Sequence, residues 1–171
     1  MITKLRLNHH LQIKESVLKY IEKSNSVSIL EKQDKISLSD YNDGSKKEYV
    51  KDIIKSGIFN EISNSLFTNE IKINHAWFQQ YHENDRHNFH IHDSMMSLIY
   101  FVELNDSKYA TEFFDVKERK IIKSNATEGD VLIFNSSVPH RSPIILDKTR
   151  KTIISMNFEI IGLDSRINDF I

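Results

Sequence analysis

The sequence of 171 residues contains no cysteine. Disulfide bonds, thiolate zinc sites, iron–sulfur clusters and cysteine nucleophiles are therefore excluded. Histidine, with eight copies, is the side chain that remains to offer nitrogen ligands to a transition metal. A metal site in this chain would have to be built from imidazoles and oxygen ligands.

The sequence also lacks a long apolar run and a surplus of charge of one sign. No stretch approaches the ~20 apolar residues of a membrane helix, and the first residues lack the apolar segment of a signal peptide. The net charge is −1, whereas nucleic-acid-binding proteins usually carry a basic surplus. We expect a cytoplasmic protein, of a bacterial cell or a phage-infected host, with no membrane or nucleic-acid partner.

Glycine and proline are scarce, with four and two copies, and the residue pattern changes near residue 70. Before that point, apolar residues recur at helical spacing in segments 11–23 and 46–66, where Gly57 suggests a break, and segment 26–30 suits a short strand. Beyond it, short β-branched or aromatic segments alternate with polar turns. These predicted strands cover 71–81, 90–92, 97–104, 110–115, 120–124, 130–134, 142–146 and 151–160.

Helices followed by about eight short strands predict a mainly β chain of the α+β class. The order favours an antiparallel sandwich or jelly roll with the helices packed on one face. We expect a single domain, in which residues 1–69 form a mainly helical support, residues 70–162 form the β core and residues 163–171 form a tail. A jelly roll has an open mouth in which a metal site can lie.

The segment 87–93, His-Asn-Phe-His-Ile-His-Asp, is the densest source of metal ligands in the sequence. Alternate side chains of a strand point to the same face, so His90 and His92 can reach one metal ion while Ile91 faces apolar packing. Asp93 would face away unless a bulge redirects it. The alternative interpretation is a polar stretch with surface histidines.

A third candidate ligand follows an apolar strand further along the chain. Residues 128–134, Glu-Gly-Asp-Val-Leu-Ile-Phe, are typical of a turn and a buried strand, and they lead into a polar turn that presents His140. A histidine placed after a neighbouring strand can complete a metal site. Taken alone, His140 equally suits a surface turn.

Two cations, Arg150 and Lys151, begin the last predicted strand. A cation at the mouth of a barrel can bind a carboxylate with the help of nearby hydroxyl groups. A solvated charge pair is the alternative. Strand alternation places Lys151, Ser155 and Asn157 on one face.

In this order, these segments resemble the 2-oxoglutarate- and Fe(II)-dependent oxygenase superfamily, and more closely its small phage and bacterial members with a His-x-His motif. The resemblance covers roughly residues 71–160. It is carried by Trp77, residues 90–92, 97–100 and 129–134, His140 and residues 151–157. It implies a double-stranded β-helix, with Fe(II), 2-oxoglutarate and O2 as cofactor and cosubstrates. The implied reaction oxidises, typically hydroxylates, a C–H bond of a protein side chain or a small molecule.

The resemblance also implies metal ligands, with one departure. The superfamily usually has His-x-Asp/Glu and a distal histidine, so His90 would be the first ligand and His140 the distal one. The position two after His90 holds His92 rather than a carboxylate. Either three imidazoles bind the metal, or a bulge brings in Asp93; we favour His92 because strand alternation needs no special geometry.

A second departure concerns the cation for the far carboxylate of 2-oxoglutarate. The closing motif and strand alternation favour Lys151, and a strand irregularity would favour Arg150. Tyr81 and Tyr100 could donate hydroxyl groups to the cosubstrate, although both also suit half-buried strand aromatics.

Ser155 and Asn157, on the face of Lys151, complete the predicted cosubstrate site. Two other interpretations remain: a cupin-like metal enzyme that does not use 2-oxoglutarate, and a catalytically silent jelly-roll module with a binding or structural role. The sequence identifies neither the prime substrate nor the oligomeric state.

Overall fold

The computed structural model describes residues 2–31, 33–45 and 47–170. Lys46, the start of the second predicted helical segment, and residues 1 and 171, the ends of the predicted domain, lie outside the described residues. The secondary structure is, in chain order, β1 (Ile2–Arg6), α1 (His10–Lys23), β2 (Val27–Glu31), β3 (Asp34–Ser39), α2 (Glu48–Lys55), α3 (Ile58–Leu66), β4 (Thr68–Tyr81), β5 (His87–His90), β6 (Met96–Leu104), β7 (Glu112–Asp115), β8 (Lys120–Lys123), β9 (Asp130–Asn135), β10 (His140–Ser142) and β11 (Lys151–Leu163). Two 3₁₀ helices cover Ser107–Tyr109 and Ser165–Phe170.

The strands form two antiparallel sheets. The larger sheet has seven strands in the order β1-β9-β6-β11-β4-β3-β2, and the smaller has four in the order β5-β10-β7-β8. The long strands β4, β6 and β11 lie side by side in the larger sheet, and the short strands β5 and β10, which carry the histidines, are paired in the smaller one. The predicted jelly roll, mainly β with helices, is confirmed.

Two hydrophobic clusters lie on opposite faces of the larger sheet. On one face, Tyr100 and Ile154 pack with buried helix residues such as Val17, Tyr49 and Ile62. On the other face, buried residues of the larger sheet pack against the smaller one, and this cluster contains Tyr81, Phe101, Phe113, Ile145 and Ile153. The helices therefore cover the outer face of the larger sheet. Its inner face packs against the smaller sheet, and a site between the sheets would be bordered by this second cluster.

Several predicted boundaries change in the structure. The helical break at Gly57 is confirmed, because this residue separates α2 from α3 with φ of 82°, a conformation that glycine adopts without strain. The predicted strand 142–146 is wrong in position: β10 begins at His140 and ends before Pro143, which has no N–H for a ladder. The strand of His90 also ends at that residue, so His92 lies just beyond it.

Residues 2–69 contain β1, β2 and β3 as well as the three helices, and all three strands join the larger sheet. Of these, only β2 corresponds to a predicted strand. β1 pairs with β9, more than 120 positions away, from Ile2↔Phe134 to Arg6↔Asp130. Within the part of the chain that the structure describes, no helix is long and apolar enough to cross a membrane.

Candidate functional site

Three histidines meet between the sheets, at one end of the smaller sheet. His90 is the last residue of β5 and His140 is the first residue of β10, and the two are direct neighbours in the antiparallel ladder. His92 follows two residues after β5, where its backbone N–H donates to the carbonyl of Ser136 at 3.0 Å. One ring nitrogen of each histidine lies within 4.8 Å of those of the other two. We call these three residues the histidine cluster.

Hydrogen bonds from two of the rings select one tautomer. His90 Nδ1 lies 2.7 Å from the carbonyl oxygen of Asn88, and His140 Nδ1 lies 3.0 Å from that of Val138. A carbonyl can only accept, so both Nδ1 atoms carry the proton and donate it. The Nε2 atom of each ring then keeps its lone pair, which is the state required of a metal ligand.

His92 is oriented by a side-chain network rather than by a backbone carbonyl. Its Nδ1 lies 3.0 Å from Oδ1 of Asn157, which also accepts from Ser97 Oγ at 3.0 Å, and Ser97 Oγ lies 2.7 Å from Ser136 Oγ. The ring stacks on Trp77 at a centroid distance of 5.5 Å. Its Nε2 is buried and has no hydrogen-bond partner among the described residues.

Burial keeps the histidine cluster neutral. It lowers the pKa of His90, and it lowers the pKa of His92 to about 4 and that of His140 to about 3, with the neighbouring imidazoles adding to the effect on the last two. Neutral imidazole is the form that binds a metal. Three oriented and unprotonated Nε2 atoms thus converge on one point.

A fourth histidine, which the sequence analysis did not single out, lies against the cluster. His87 stacks on His90 at a centroid distance of 3.8 Å, and its Nε2 lies 3.7 Å from Oδ2 of Asp34. Burial lowers the pKa of His87 to about 3. No signal in the sequence distinguishes it from His82, which is exposed.

Lys151 is a buried cation next to this site. Lys151 is only 1% exposed. Its Nζ donates to Ser142 Oγ at 2.8 Å and lies 5.1 Å from the centre of the Tyr81 ring. Burial lowers the pKa of Lys151 to about 7. Among the described residues no carboxylate lies within ion-pair distance of it; the nearby Glu112 is bound by Arg141 at 2.7 Å.

A small pocket of about 20 Å³ connects the histidine cluster with the residues around Lys151. Tyr81, Thr111, Ser142 and Ser155 line it together with the cluster. The Tyr81 hydroxyl donates to Oε1 of Gln79 at 3.1 Å, and burial raises the pKa of Tyr81. Tyr81 and Ser155 thus line this pocket, and their role toward a cosubstrate stays a prediction; Ser142 and Gln79 line it as well, although no sequence pattern indicated them.

Asn157 does not lie in the small pocket with Ser155, although the sequence analysis placed both residues in the cosubstrate site. It lines the larger cleft outside the cluster rather than the small pocket, and its amide orients His92. It is thus a positioning residue for the cluster.

Two other candidates face away from the pocket, which corrects their predicted roles. Arg150 forms a two-pronged ion pair with Glu103, with nitrogen–oxygen distances of 2.8 and 2.6 Å. Tyr100 lies in the helix-side cluster, where its hydroxyl is 2.7 Å from His10 Nδ1. Strand alternation explains both placements. Arg150 precedes Lys151 and Tyr100 precedes Phe101, and neighbouring side chains along a strand point to opposite faces of the sheet.

A larger cleft of about 460 Å³ opens on the outer side of the histidine cluster. His90 and His92 form part of its lining, together with Trp77, Asp93 and Asn157. Asp93, the alternative carboxylate ligand, is exposed and is not part of the group of side chains close enough to hold a metal ion.

No protein family and no curated protein matches the sequence. Solved structures do match in fold. A prolyl-4-hydroxylase from Pseudomonas putida has a TM-score of 0.65 at 11% identity, with 94% of this chain and 93% of that chain covered. The non-heme α-ketoglutarate-dependent epimerase SnoN from nogalamycin biosynthesis has a TM-score of 0.74 at 8% identity, with 93% and 77% covered.

HygX from Streptomyces hygroscopicus, solved with nickel and 2-oxoglutarate bound, has a TM-score of 0.71 at 7% identity, with 95% of this chain and 84% of that chain covered. At these identities the likeness establishes the architecture. The chain therefore has the double-stranded β-helix fold of the 2-oxoglutarate–Fe(II) oxygenases, and it carries a His-x-His motif and a third histidine together within that fold.

Proposed function

We propose that the chain is an Fe(II)- and 2-oxoglutarate-dependent dioxygenase that hydroxylates, or otherwise oxidises, a C–H bond. The observation that carries the proposal is the buried, unpartnered Nε2 of His92, which faces two further imidazoles of fixed tautomer. A buried polar atom without a partner is costly unless a ligand satisfies it. A metal ion bound by the histidine cluster would satisfy it.

The donor set of the cluster fits a first-row transition metal. Imidazole suits iron, zinc, copper and nickel, so the donors alone do not select among these ions. The choice of iron rests on the fold shared with the 2-oxoglutarate–Fe(II) oxygenases. Three neutral imidazoles leave the charge of a divalent ion uncompensated, and an anionic cosubstrate would balance it.

Lys151 supports the assignment of 2-oxoglutarate as that cosubstrate. It presents a buried ammonium with the hydroxyl of Ser142 as a hydrogen-bond partner and without a carboxylate partner among the described residues. An isolated buried cation is unfavourable, and a bound carboxylate would compensate for it. We assign the far carboxylate of 2-oxoglutarate to Lys151 and Ser142, with Tyr81 and Ser155 beside it.

The pocket between the cluster and Lys151 holds about 20 Å³, which is close to the space that one water molecule needs. Its lining side chains must therefore move apart when 2-oxoglutarate binds. Arg141 and His87 belong to this lining and are only partly buried, so we expect the adjustment to involve these two side chains. This adjustment is a requirement of the proposal.

When bound, iron and 2-oxoglutarate would supply the oxidising power, by reduction of O2 coupled to conversion of 2-oxoglutarate into succinate and carbon dioxide. The residues of the chain would orient the reactants. The histidine cluster would hold the metal, Lys151 and Ser142 would hold the cosubstrate, and the apolar residues between the sheets would exclude water. The cleft lined by Trp77 would admit the prime substrate.

The prime substrate is a protein side chain or a small molecule. Solved structures of this fold hold molecules of both kinds: one is a prolyl hydroxylase in complex with a peptide fragment of hypoxia inducible factor, and another is HygX with hygromycin B bound. The cleft of about 460 Å³ has the size of a small-molecule site.

The test is anaerobic titration of the metal-free protein with Fe(II) and then with 2-oxoglutarate. We expect the weak visible charge-transfer band of the bound complex, and succinate once O2 is admitted. His140→Ala should abolish both signals, whereas His82→Ala, a change at an exposed histidine, should leave them intact.

Metal binding without a 2-oxoglutarate band would favour a cupin-like metal enzyme instead. Failure to bind either component would favour the silent jelly-roll module. If both bind, succinate formation measured with panels of peptides and metabolites would identify the prime substrate.

A further inference from the structure

The outer cleft carries negative charge at two of its walls. Glu31 ends β2 and Asp34 begins β3, and these residues face each other across the hairpin turn. Asp93 follows the histidine cluster in the chain. All three line the cleft, and none of the described residues that line it is a lysine or an arginine.

Two of these carboxylates have no partner of opposite charge. Glu31 and Asp93 are exposed and take part in no ion pair among the described residues. Asp34 accepts hydrogen bonds from the backbone and side-chain nitrogens of Asn88 at 2.8 and 2.9 Å, which fixes its position without a formal positive charge. Among the described residues, therefore, no cationic side chain lines the cleft to offset these carboxylates.

The remaining wall is aromatic and leads to the histidine cluster. Tyr41 lies 4.9 Å from His75 and 5.1 Å from Trp77 between ring centres, and Trp77 stacks on His92. Trp77 lines the cleft and is 3% exposed, yet its indole N–H has no hydrogen-bond partner among the described residues. A buried donor of this kind calls for an acceptor oxygen on a bound molecule.

From these features we propose that the prime substrate is an organic cation, with an ammonium or guanidinium group held between the carboxylates of Glu31, Asp34 and Asp93 and the aromatic wall, and with an oxygen acceptor for Trp77. The inference rests on the proposed oxygenase function. Carboxylates attract such a group over several ångströms, and the faces of tryptophan and tyrosine attract it at contact. A divalent metal and a dianionic cosubstrate balance each other, so the charge of Lys151, which is buried and does not line the cleft, is what remains to oppose the substrate cation.

The cationic group of such a substrate can belong to one of two classes of molecule. It is either a lysine or arginine side chain of a peptide, or the amine of a small molecule such as an amino sugar. One pair of probes is Nα-acetyl-lysine amide, which keeps its side-chain ammonium group, and its neutral analogue Nα-acetyl-norleucine amide. The other pair is glucosamine and glucose. The signal is the fluorescence of Trp77, which is the only tryptophan in the sequence and stacks on His92. Titrations are made at low ionic strength, on protein with Fe(II) and 2-oxoglutarate under anaerobic conditions.

We expect at least one cationic probe to bind roughly tenfold more tightly than its neutral analogue. The double variant E31Q/D93N should reduce this preference to about threefold or less. The matched double variant E15Q/E118Q, which removes two exposed carboxylates outside the cleft, should keep it. Preference for the lysine probe would identify a peptide substrate, and preference for glucosamine a small molecule.

Equal binding of the cationic and neutral members of both pairs, or no binding of any probe, would overturn the inference. If the 2-oxoglutarate band forms in that same sample, the oxygenase proposal survives. A cation preference without the band would instead refute the oxygenase proposal and retain the cation site. If D93N disturbs the band or the fold, the single variant E31Q, on the exposed hairpin, must still reduce the preference by about twofold.

Discussion

Replacing Lys151 with methionine should stabilise the ligand-free protein. Burial lowers the pKa of Lys151 from 10.5 to about 7. Because one pKa unit corresponds to about 1.4 kcal/mol, holding the ammonium in the fold costs on the order of 4 kcal/mol at neutral pH. Methionine fills a similar volume without charge, while loss of the hydrogen bond to Ser142 removes about 1 kcal/mol. We expect a net gain of about 3 kcal/mol in the free energy of unfolding.

The pH dependence of this gain has a definite sign. Between about pH 7 and pH 10.5 the unfolded chain binds a proton at Lys151 that the folded chain does not, so the stability of the wild-type protein rises with pH through this window. The advantage of K151M should therefore shrink toward zero as the pH approaches 10. Urea unfolding at pH 7 and pH 9.5 measures it, and K117M, at an exposed lysine, should change stability by less than about 0.5 kcal/mol.

The same substitution should remove 2-oxoglutarate binding. Loss of one partner of a buried charge pair costs about 2–5 kcal/mol, so the dissociation constant of 2-oxoglutarate should rise at least about 30-fold. R150M is the matched control, because Arg150 is paired with Glu103 on the other face of β11. Anaerobic calorimetry with Fe(II) present measures both. A K151M protein that is less stable than the wild type at pH 7, or that binds 2-oxoglutarate within about threefold of it, would refute this reasoning.

Three further substitutions test the assignment of roles. His92→Ala should reduce Fe(II) affinity at least about 100-fold, whereas Asp93→Ala should change it by less than about threefold; competition with a chelator decides, and the reverse result would make Asp93 the ligand. Asn157→Ala should weaken Fe(II) binding by about 10- to 100-fold through loss of the hydrogen bond to His92 Nδ1, with the fold unchanged by circular dichroism. Tyr100→Phe should lower the free energy of unfolding by about 1 kcal/mol, because its hydroxyl bonds to buried His10, and should leave the apparent 2-oxoglutarate constant unchanged in a succinate assay.

The histidine cluster could be predicted because part of it is local. The spacing of His90 and His92 predicts that both reach one point, and this holds although β5 ends at His90; the backbone N–H of His92 instead donates to the carbonyl of Ser136. The position of His140 depends on pairing between β10 and β5. Only the order of motifs along the chain indicated that pairing.

The orientation of Tyr100 could not be read from the sequence for a physical reason. Strand β6 is central in the larger sheet and is covered on both faces, so its residues from Ser97 to Leu104 are all buried. A strand of this kind has no alternation of apolar and polar residues that would assign its faces. Tyr100 and its neighbour Phe101 thus look equivalent in the sequence, although one packs under the helices and the other between the sheets.

The strands β1 and β3 and the residues Ser97, Ser136 and Ser142 were missed for a related reason. Several of them acquire their roles through contacts that join distant parts of the chain, such as the pairing of β1 with β9 or the bond between Ser97 Oγ and Ser136 Oγ. Single serines and strands of five or six residues carry little local signal. The periodic segments were predictable, and the polar partners that hold them in place were not.

The replacement of the expected carboxylate by His92 and the burial of Lys151 have one electrostatic consequence. Neither the histidine cluster, which lines the small pocket, nor Lys151, which donates to the lining residue Ser142, has a carboxylate partner among the described residues. A metal bound at one end would add positive charge to a site that already holds an ammonium at the other. A dianion that reaches both ends offsets both charges at once. Binding of the metal and binding of the cosubstrate should therefore depend on each other, and H92A and K151M test this dependence from the metal side and from the cosubstrate side.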